Sequence, residues 1–210
     1  MVRANNVNGD PSMYLEYDTF GSSHNPCILL VMGLGTQMLA WKAEFCEMLA
    51  ADKYFVVRFD NRDVGLSRHF DELGPPPLVR RVLHKMVLGR FCPPATDYTL
   101  GDMATDAFGL LDFLNVKQAH VVGASMGGMI AQTMAIQFPQ RVLSLTSIFS
   151  TTGAHNLPDG ELRIRLMLLA KSGPTHEERV ADATRKLRAI AYPATLGEDL
   201  DEYVKTRACR

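Results

Sequence analysis

Residues 119–130 read AHVVGASMGGMI, an apolar run that reaches Ser125 and continues as a helical pattern. The stretch predicts a strand, a sharp turn and a helix, with the serine at the turn. Gly123 and Gly127 lie two positions on either side of the serine, where a strained turn leaves no room for bulk. Such a turn lifts the serine hydroxyl to the carboxyl edge of a sheet. The alternative is a strand-to-helix turn with no catalytic role, but the strand and helix patterns on both sides favour a nucleophilic serine.

Strand and helix patterns alternate over the first 152 residues, which predicts a mainly parallel α/β sheet. Near the N-terminus, two strand patterns around a turn at 21–26 predict a hairpin. From 153 to 210 the sequence is helical and no strand pattern follows, so we predict a core over 1–152 and a helical, cap-like segment over 153–210. The predicted strands are 13–20, 27–32, 54–60, 119–124 and 142–149, and the predicted helices are about 37–51, 78–90, 99–114, 126–138, 162–170, 175–191 and 196–206.

A second glycine signal, Gly33-Leu34-Gly35, follows the apolar strand 27–32. Dinucleotide binding is disfavoured because Met38 occupies the place of the third glycine of G-x-G-x-x-G. Together with the serine turn, the loop predicts acyl transfer. Ser125 would attack a carbonyl group, and the backbone N–H groups of Leu34 and Met126 would hold the oxyanion.

Charged residues outside this pair of loops have both structural and binding interpretations. Asp60 at the end of the strand 54–60 and Arg62 in the loop after it are expected to pair and to tie the loop back to the sheet, with a binding role as the alternative. The basic segment 78–90 is expected to be a solvated helix face, with binding of a partner or an acidic substrate as the alternative.

Composition limits the partners and the compartment. The chain has 210 residues, 47% of them hydrophobic, and a net charge of −1, which predicts no nucleic-acid partner. No apolar run approaches the roughly 20 residues that span a bilayer, and the polar N-terminus lacks a secretory signal, so we expect a cytoplasmic protein. Four widely spaced cysteines are expected to be reduced thiols, those at 27 and 46 in the core, and no metal site is predicted.

Three motifs in order resemble the α/β-hydrolase superfamily. Residues 32–35, MGLG, are similar to its His-Gly-x-Gly oxyanion loop with Met for His, and residues 122–128, VGASMGG, are similar to its elbow. Residues 60–67, DNRDVGLS, resemble its D-x-R-G-x-G-x-S loop with Asp63 for the usual glycine. With the run 98–106, these motifs look most like serine esterases of the aclacinomycin methylesterase type. The resemblance implies hydrolysis of a small-molecule carboxylic ester, no cofactor, and a helical cap over the pocket.

The family pattern also implies a catalytic acid and a histidine after the last two strands, and neither is recognisable. His155 and His176 are the only histidines after Ser125, and both lie in the wrong context, as do the acids at 159, 182, 198 and 199. We therefore expect a truncated or fragmentary chain with little activity. The alternatives are a non-catalytic binding protein, or a peptidase, lipase or haloperoxidase on the same scaffold.

Overall fold

The computed structural model describes residues 1–70, 98–154, 157, 161–170, 173 and 175–190. Six strands make one sheet: β1 Val2–Asn5, β2 Tyr14–Phe20, β3 Cys27–Val31, β4 Phe55–Phe59, β5 Ala119–Ala124 and β6 Val142–Ile148. Their order is β1-β2-β4-β3-β5-β6. The pairs β4–β3, β3–β5 and β5–β6 are parallel, whereas β1 and β2 join antiparallel. The mainly parallel α/β sheet is thus confirmed.

The predicted hairpin near the N-terminus is wrong. Strand β2 pairs with β1 and β4, and its sequence neighbour β3 lies one strand further along, between β4 and β5. All five residues of β3 are buried, as an apolar run that is covered on both faces requires. A central place between two parallel strands satisfies that requirement, and a hairpin partner at the edge does not.

Helices cover both faces of this sheet. They are α1 Ala43–Ala51, α2 Leu100–Phe113 and α3 Met126–Gln137. Alternate residues of β3 belong to different apolar clusters, because successive side chains of a strand point to opposite faces. Leu29 packs in the cluster that contains the buried residues of α2 and α3, whereas Leu30 packs in the cluster that contains Cys46 of α1. Cys27 and Cys46 are both buried free thiols, as predicted.

The helix predicted over 37–51 is broken. A short 3-10 helix, Met38–Ala40, is followed by extended backbone at Trp41, and α1 begins only at Ala43. The buried side of α1 contains Cys46, which is fully buried, whereas Phe45 and Met48 are exposed. Phe45 instead stacks on Trp41, with ring centroids 6.0 Å apart. The break gives the chain after β3 a separate loop, which borders the serine turn.

Contacts divide the chain into two compact units, Met1–Gly153 and Ala154–Arg210. In the second unit, α4 Leu162–Leu169 and α5 His176–Ile190 are helical as predicted. Thr175 and Glu178 form a capping box: the Thr175 backbone N–H donates to the Glu178 carboxylate (3.0 Å), and the Glu178 N–H donates to the Thr175 hydroxyl (3.2 Å). The predicted helices at 78–90 and 196–206 lie outside the described residues. No described helix has the length and apolar character that crossing a bilayer requires.

Candidate active site

Ser125 lies at the turn between β5 and α3, in a backbone conformation that non-glycine residues rarely adopt. Its φ is +55° and its ψ is −121°. Its N–H donates to the carbonyl of Ile148 at the end of β6 (3.0 Å), and its carbonyl accepts from the N–H of Gly128 (3.0 Å). Strain of this kind persists only where the surroundings hold it, and it concentrates at functional sites. The side chain is half-buried at the carboxyl edge of the sheet.

The two glycines of the pentapeptide allow the turn to pack closely. A Cβ atom on Gly123 would lie 2.2 Å from the carbonyl oxygen of Gly127. A Cβ atom on Gly127 would lie 2.2 Å from the carbonyl oxygen of Val31, the last residue of β3. Any side chain at either position would therefore push α3 away from the strands and displace Ser125.

The Gly33-Leu34-Gly35 loop lies directly beside the serine. A Cβ atom on Gly33 would lie 3.0 Å from the Cβ atom and 3.4 Å from the Oγ atom of Ser125. The loop is a tight turn, in which the Thr36 N–H donates to the Gly33 carbonyl (3.3 Å) and Gly35 has a φ of +60°. Leu34 is at the middle of the turn. The two loops that the sequence placed at one edge of the sheet are thus neighbours.

Met126, the other predicted oxyanion donor, is the first residue of α3. The first N–H groups of an α-helix have no partner within the helix and carry the positive end of its dipole. The backbone next to Ser125 therefore offers N–H groups from the helix end, beside the turn that contains Leu34. The assignment of Leu34 and Met126 to an oxyanion site stays a prediction.

Asp60 ties its own loop and the glycine loop together, in agreement with the structural interpretation. Its Oδ1 atom accepts from the backbone N–H of Met38 (2.7 Å), and its Oδ2 atom accepts from that of Leu66 (3.3 Å). Burial raises the pKa of the Asp60 carboxyl, and these two hydrogen bonds oppose the rise. Its neighbour Asn61, which the sequence analysis did not single out, donates from Nδ2 to the carbonyl of Met32 (2.8 Å).

Arg62 pairs with a buried carboxylate on helix α2 and not with Asp60. Its Nε and Nη2 atoms lie 2.6 and 2.8 Å from the two carboxylate oxygens of Asp106. The guanidinium also lies over the rings of Tyr98 and Phe70, 4.8 and 5.3 Å from their centroids. Only one cue marked Asp106 in the sequence, an acid on the otherwise apolar face of a helix. The pair fixes the loop after β4 to α2.

A general base for Ser125 is not found within the described part of the chain. Neither a histidine nor a carboxylate there is hydrogen-bonded to the Ser125 hydroxyl. His69 binds the carbonyl of Gly65 (3.0 Å), and His120 binds the Ser144 hydroxyl (2.8 Å). Asp182 accepts from the N–H of Gly173 and pairs with Arg185. Outside the described part lie residues 155, 159, 198 and 199 and the side chain of His176. Within the described part there is no cluster of three or more His, Cys, Asp or Glu that could bind a metal.

Two named relatives each match more than half of the chain. Rhodomycin D methylesterase of Streptomyces sp. strain C5 is 37% identical over 119 residues, which are 57% of this chain and 33% of the relative. The 3-oxoadipate enol-lactonase 2 of Acinetobacter baylyi is 32% identical over 127 residues, which are 60% of this chain and 38% of the relative. The matched part is thus 33–38% of each relative's length.

A solved structure and a family model extend the comparison to most of the chain. The enol-lactonase from Burkholderia xenovorans superimposes with a TM-score of 0.65 at 22% identity, covering 98% of this chain and 65% of that one. At this identity the likeness shows the fold alone. The sequence model of the alpha/beta hydrolase fold matches residues 26–189, well over half of the chain, so the chain belongs to the alpha/beta hydrolase family.

Proposed function

We propose that this chain carries the nucleophile and the oxyanion site of a serine hydrolase that acts on small-molecule carboxylic esters. The proposal is carried by the strained, half-buried Ser125, whose Oγ lies 3.4 Å from the Cβ position of Gly33. A serine hydroxyl beside a glycine turn and a helix N-terminus, whose backbone N–H groups could hold an oxyanion, supports acyl transfer.

In the proposed reaction, Ser125 Oγ forms a bond to the ester carbonyl carbon while its proton passes to a general base. The negative charge that develops on the carbonyl oxygen is held by the N–H groups of Leu34 and Met126. Loss of one such donor typically costs about 100- to 1000-fold in kcat. The alcohol then leaves with a proton, and water hydrolyses the acyl-enzyme to the acid. Because only backbone donors act on the oxygen, the apolar side chains at both positions are no obstacle.

Exposed apolar side chains at the sheet edge that bears Ser125 favour a neutral, apolar ester. Leu34 follows β3, Leu66 lies in the loop after β4, and Phe149 follows β6; they are 43%, 48% and 78% exposed. The carboxyl ends of these parallel strands meet at the edge that bears Ser125. The two relatives are a methylesterase and an enol-lactonase, and both names denote hydrolysis of an ester bond. No cofactor is needed for this chemistry.

We expect slow turnover by the 210-residue chain, because no histidine or carboxylate in its described part contacts the Ser125 hydroxyl. A serine without its base is a poor nucleophile at neutral pH. Hydrolases that lose a triad member keep roughly 1000- to 10,000-fold catalysis over water, which comes from the oxyanion site and from binding.

Covalent labelling with a fluorophosphonate, together with p-nitrophenyl ester hydrolysis, tests the proposal. We expect slow but measurable labelling and turnover in the wild-type chain and in Ser144→Ala, a control that removes an exposed hydroxyl on β6. Both signals should disappear in Ser125→Ala. Equal signals in wild type and Ser125→Ala would contradict the nucleophile assignment. A complete lack of labelling would favour the alternative of a non-catalytic binding protein.

A further inference from the structure

We propose that Asn61 is a positioning residue that holds the Gly33-Leu34-Gly35 turn in register with Ser125, an assignment that rests on the proposed function. The Asn61 side chain is 2% exposed, and its Nδ2 atom donates to the carbonyl of Met32 over 2.8 Å. Met32 directly precedes Gly33, so this hydrogen bond fixes the peptide through which the chain enters the turn.

The neighbouring residue holds the other end of the same loop. Asp60 is also 2% exposed, and its carboxylate accepts from the N–H of Met38 over 2.7 Å. Asp60 and Asn61 follow β4, which is the parallel neighbour of β3. Adjacent strands thus end at the same edge, and two consecutive side chains of one loop clamp residues 32–38 of the other at its start and at its end.

The turn has few other restraints. Gly33 has no side chain to pack, and the Leu34 side chain is 43% exposed. The turn's own hydrogen bonds join Thr36 to Gly33 and to Leu34, and these bonds move with it. An oxyanion donor must be held within about 0.5 Å of its productive place. The Asn61 amide is therefore the side-chain anchor at the start of the turn, where the chain enters Gly33 beside Ser125.

Two substitutions of Asn61 and one matched control separate this role from general stabilisation. Asn61→Ala removes the donor, and Asn61→Asp keeps the shape but has no N–H to donate when ionised. Ser67→Ala is the control, because Ser67 is 1% exposed and its hydroxyl donates to the Asp60 carbonyl (2.6 Å) and accepts from the Glu16 N–H (2.9 Å). The control removes buried hydrogen bonds in the same loop without a side-chain contact to residues 32–38.

Hydrogen exchange measured by mass spectrometry reports on the turn without requiring activity. We expect exchange in peptides spanning 32–38 to be about tenfold faster in both Asn61 variants, the effect of losing one hydrogen bond. The rest of the sheet should exchange as in Ser67→Ala. Unchanged exchange at 32–38, or an acceleration spread evenly over the sheet, would overturn the assignment.

Turnover provides the second readout. We expect kcat/KM for an oxoester to fall about tenfold in Asn61→Ala. The preference for the oxoester over the matching thionoester should also fall, because an oxyanion site distinguishes oxygen from sulfur, and Ser67→Ala should keep the preference. An unchanged preference in Asn61→Ala would overturn the assignment. A wild-type chain without Ser125-dependent turnover would defeat the proposed function, and the exchange at 32–38 would still decide the role of Asn61 in the turn.

Discussion

Removal of Arg62 should destabilise the protein far more than removal of an ordinary surface charge. The Arg62 guanidinium makes two hydrogen bonds to the carboxylate of Asp106, a residue that is only 2% exposed. Without Arg62, that carboxylate keeps one side-chain donor among the described residues, the Nδ2 atom of Asn8 at 3.1 Å. An uncompensated buried charge of this kind costs about 3–5 kcal/mol. We therefore expect Arg62→Met to lower the free energy of unfolding by about 3–5 kcal/mol at neutral pH.

The loss should depend on pH in a defined direction. Burial raises the pKa of Asp106 above its ordinary value of 3.8, and the contacts with Arg62 oppose the rise. Removing Arg62 must raise the pKa of Asp106 in the folded chain further. At pH values between the pKa of Asp106 in the unfolded chain and its pKa in the folded variant, the folded variant binds more protons than the unfolded chain. Stability of the variant then falls as the pH rises through that window. The deficit relative to wild type should be smallest at acid pH, where the carboxyl is protonated in the folded and the unfolded chain, and should grow as the pH rises above the ordinary pKa of 3.8.

Urea unfolding of wild type, Arg62→Met and the double variant Arg62→Met with Asp106→Leu measures both effects. The double variant should recover most of the lost stability, because it removes the buried charge with its partner. A deficit below about 1 kcal/mol at neutral pH, the size expected of a surface pair, would refute the reasoning. A deficit that grows toward acid pH would refute it as well.

Three further predictions concern the serine turn and the core. Ser125→Gly should raise the free energy of unfolding by about 1 kcal/mol, since glycine tolerates the positive φ at this position. The same variant should abolish fluorophosphonate labelling. A loss of stability would contradict the backbone strain assigned to Ser125. Gly127→Ala should cost about 3 kcal/mol in urea unfolding because its Cβ would overlap the Val31 carbonyl. Gly101→Ala on α2, whose nearest neighbour is the flexible end of Gln137, should cost nothing; similar losses in the two alanine variants would count against the overlap. Burial raises the pKa of the Cys27 thiol to about 12, so we expect alkylation of Cys27 near pH 8 to proceed only at the rate of global unfolding. Peptide mass spectrometry measures this rate, and alkylation faster than unfolding would contradict the prediction.

The parts of the fold that the sequence predicted correctly are those with a local signal. Strand β3 is a continuous apolar run, and the turn at Ser125 has its own spacing of small residues, so neither depends on distant partners. The helix predicted over 37–51 was wrong because Phe45 and Cys46 are adjacent apolar residues, and a helical periodicity can be drawn through either of them. The sequence therefore does not decide which of the two is buried. Only the packing against β3 and β4 selects Cys46 for the core and leaves Phe45 against Trp41.

Long-range pairing explains the other differences. Arg62 and Asp106 are 44 positions apart, and no local pattern relates them. The hairpin was wrong for the same reason, because the strand that separates β2 from β3 is β4, which comes later in the chain. In the candidate site, the sequence placed Ser125 next to the glycine loop but did not reveal the Asn61 contact, since an asparagine in a polar loop carries no signal of its partner.

Asp63 illustrates how a departure from a motif can be compensated. It stands where the family's loop usually has glycine, and its φ is +61°, a conformation that costs most side chains about 1–2 kcal/mol. Its carboxylate accepts from the Phe70 N–H (2.7 Å) and from the Tyr98 hydroxyl (2.6 Å). Hydrogen bonds to a charged group contribute about 1.5–3 kcal/mol each, which exceeds the backbone cost. The substitution therefore replaces the backbone freedom of glycine with two anchors. Because Tyr98 directly precedes the N-cap of α2, the loop that contains Asp60 and Asn61 is held from the helix side as well as from the glycine turn.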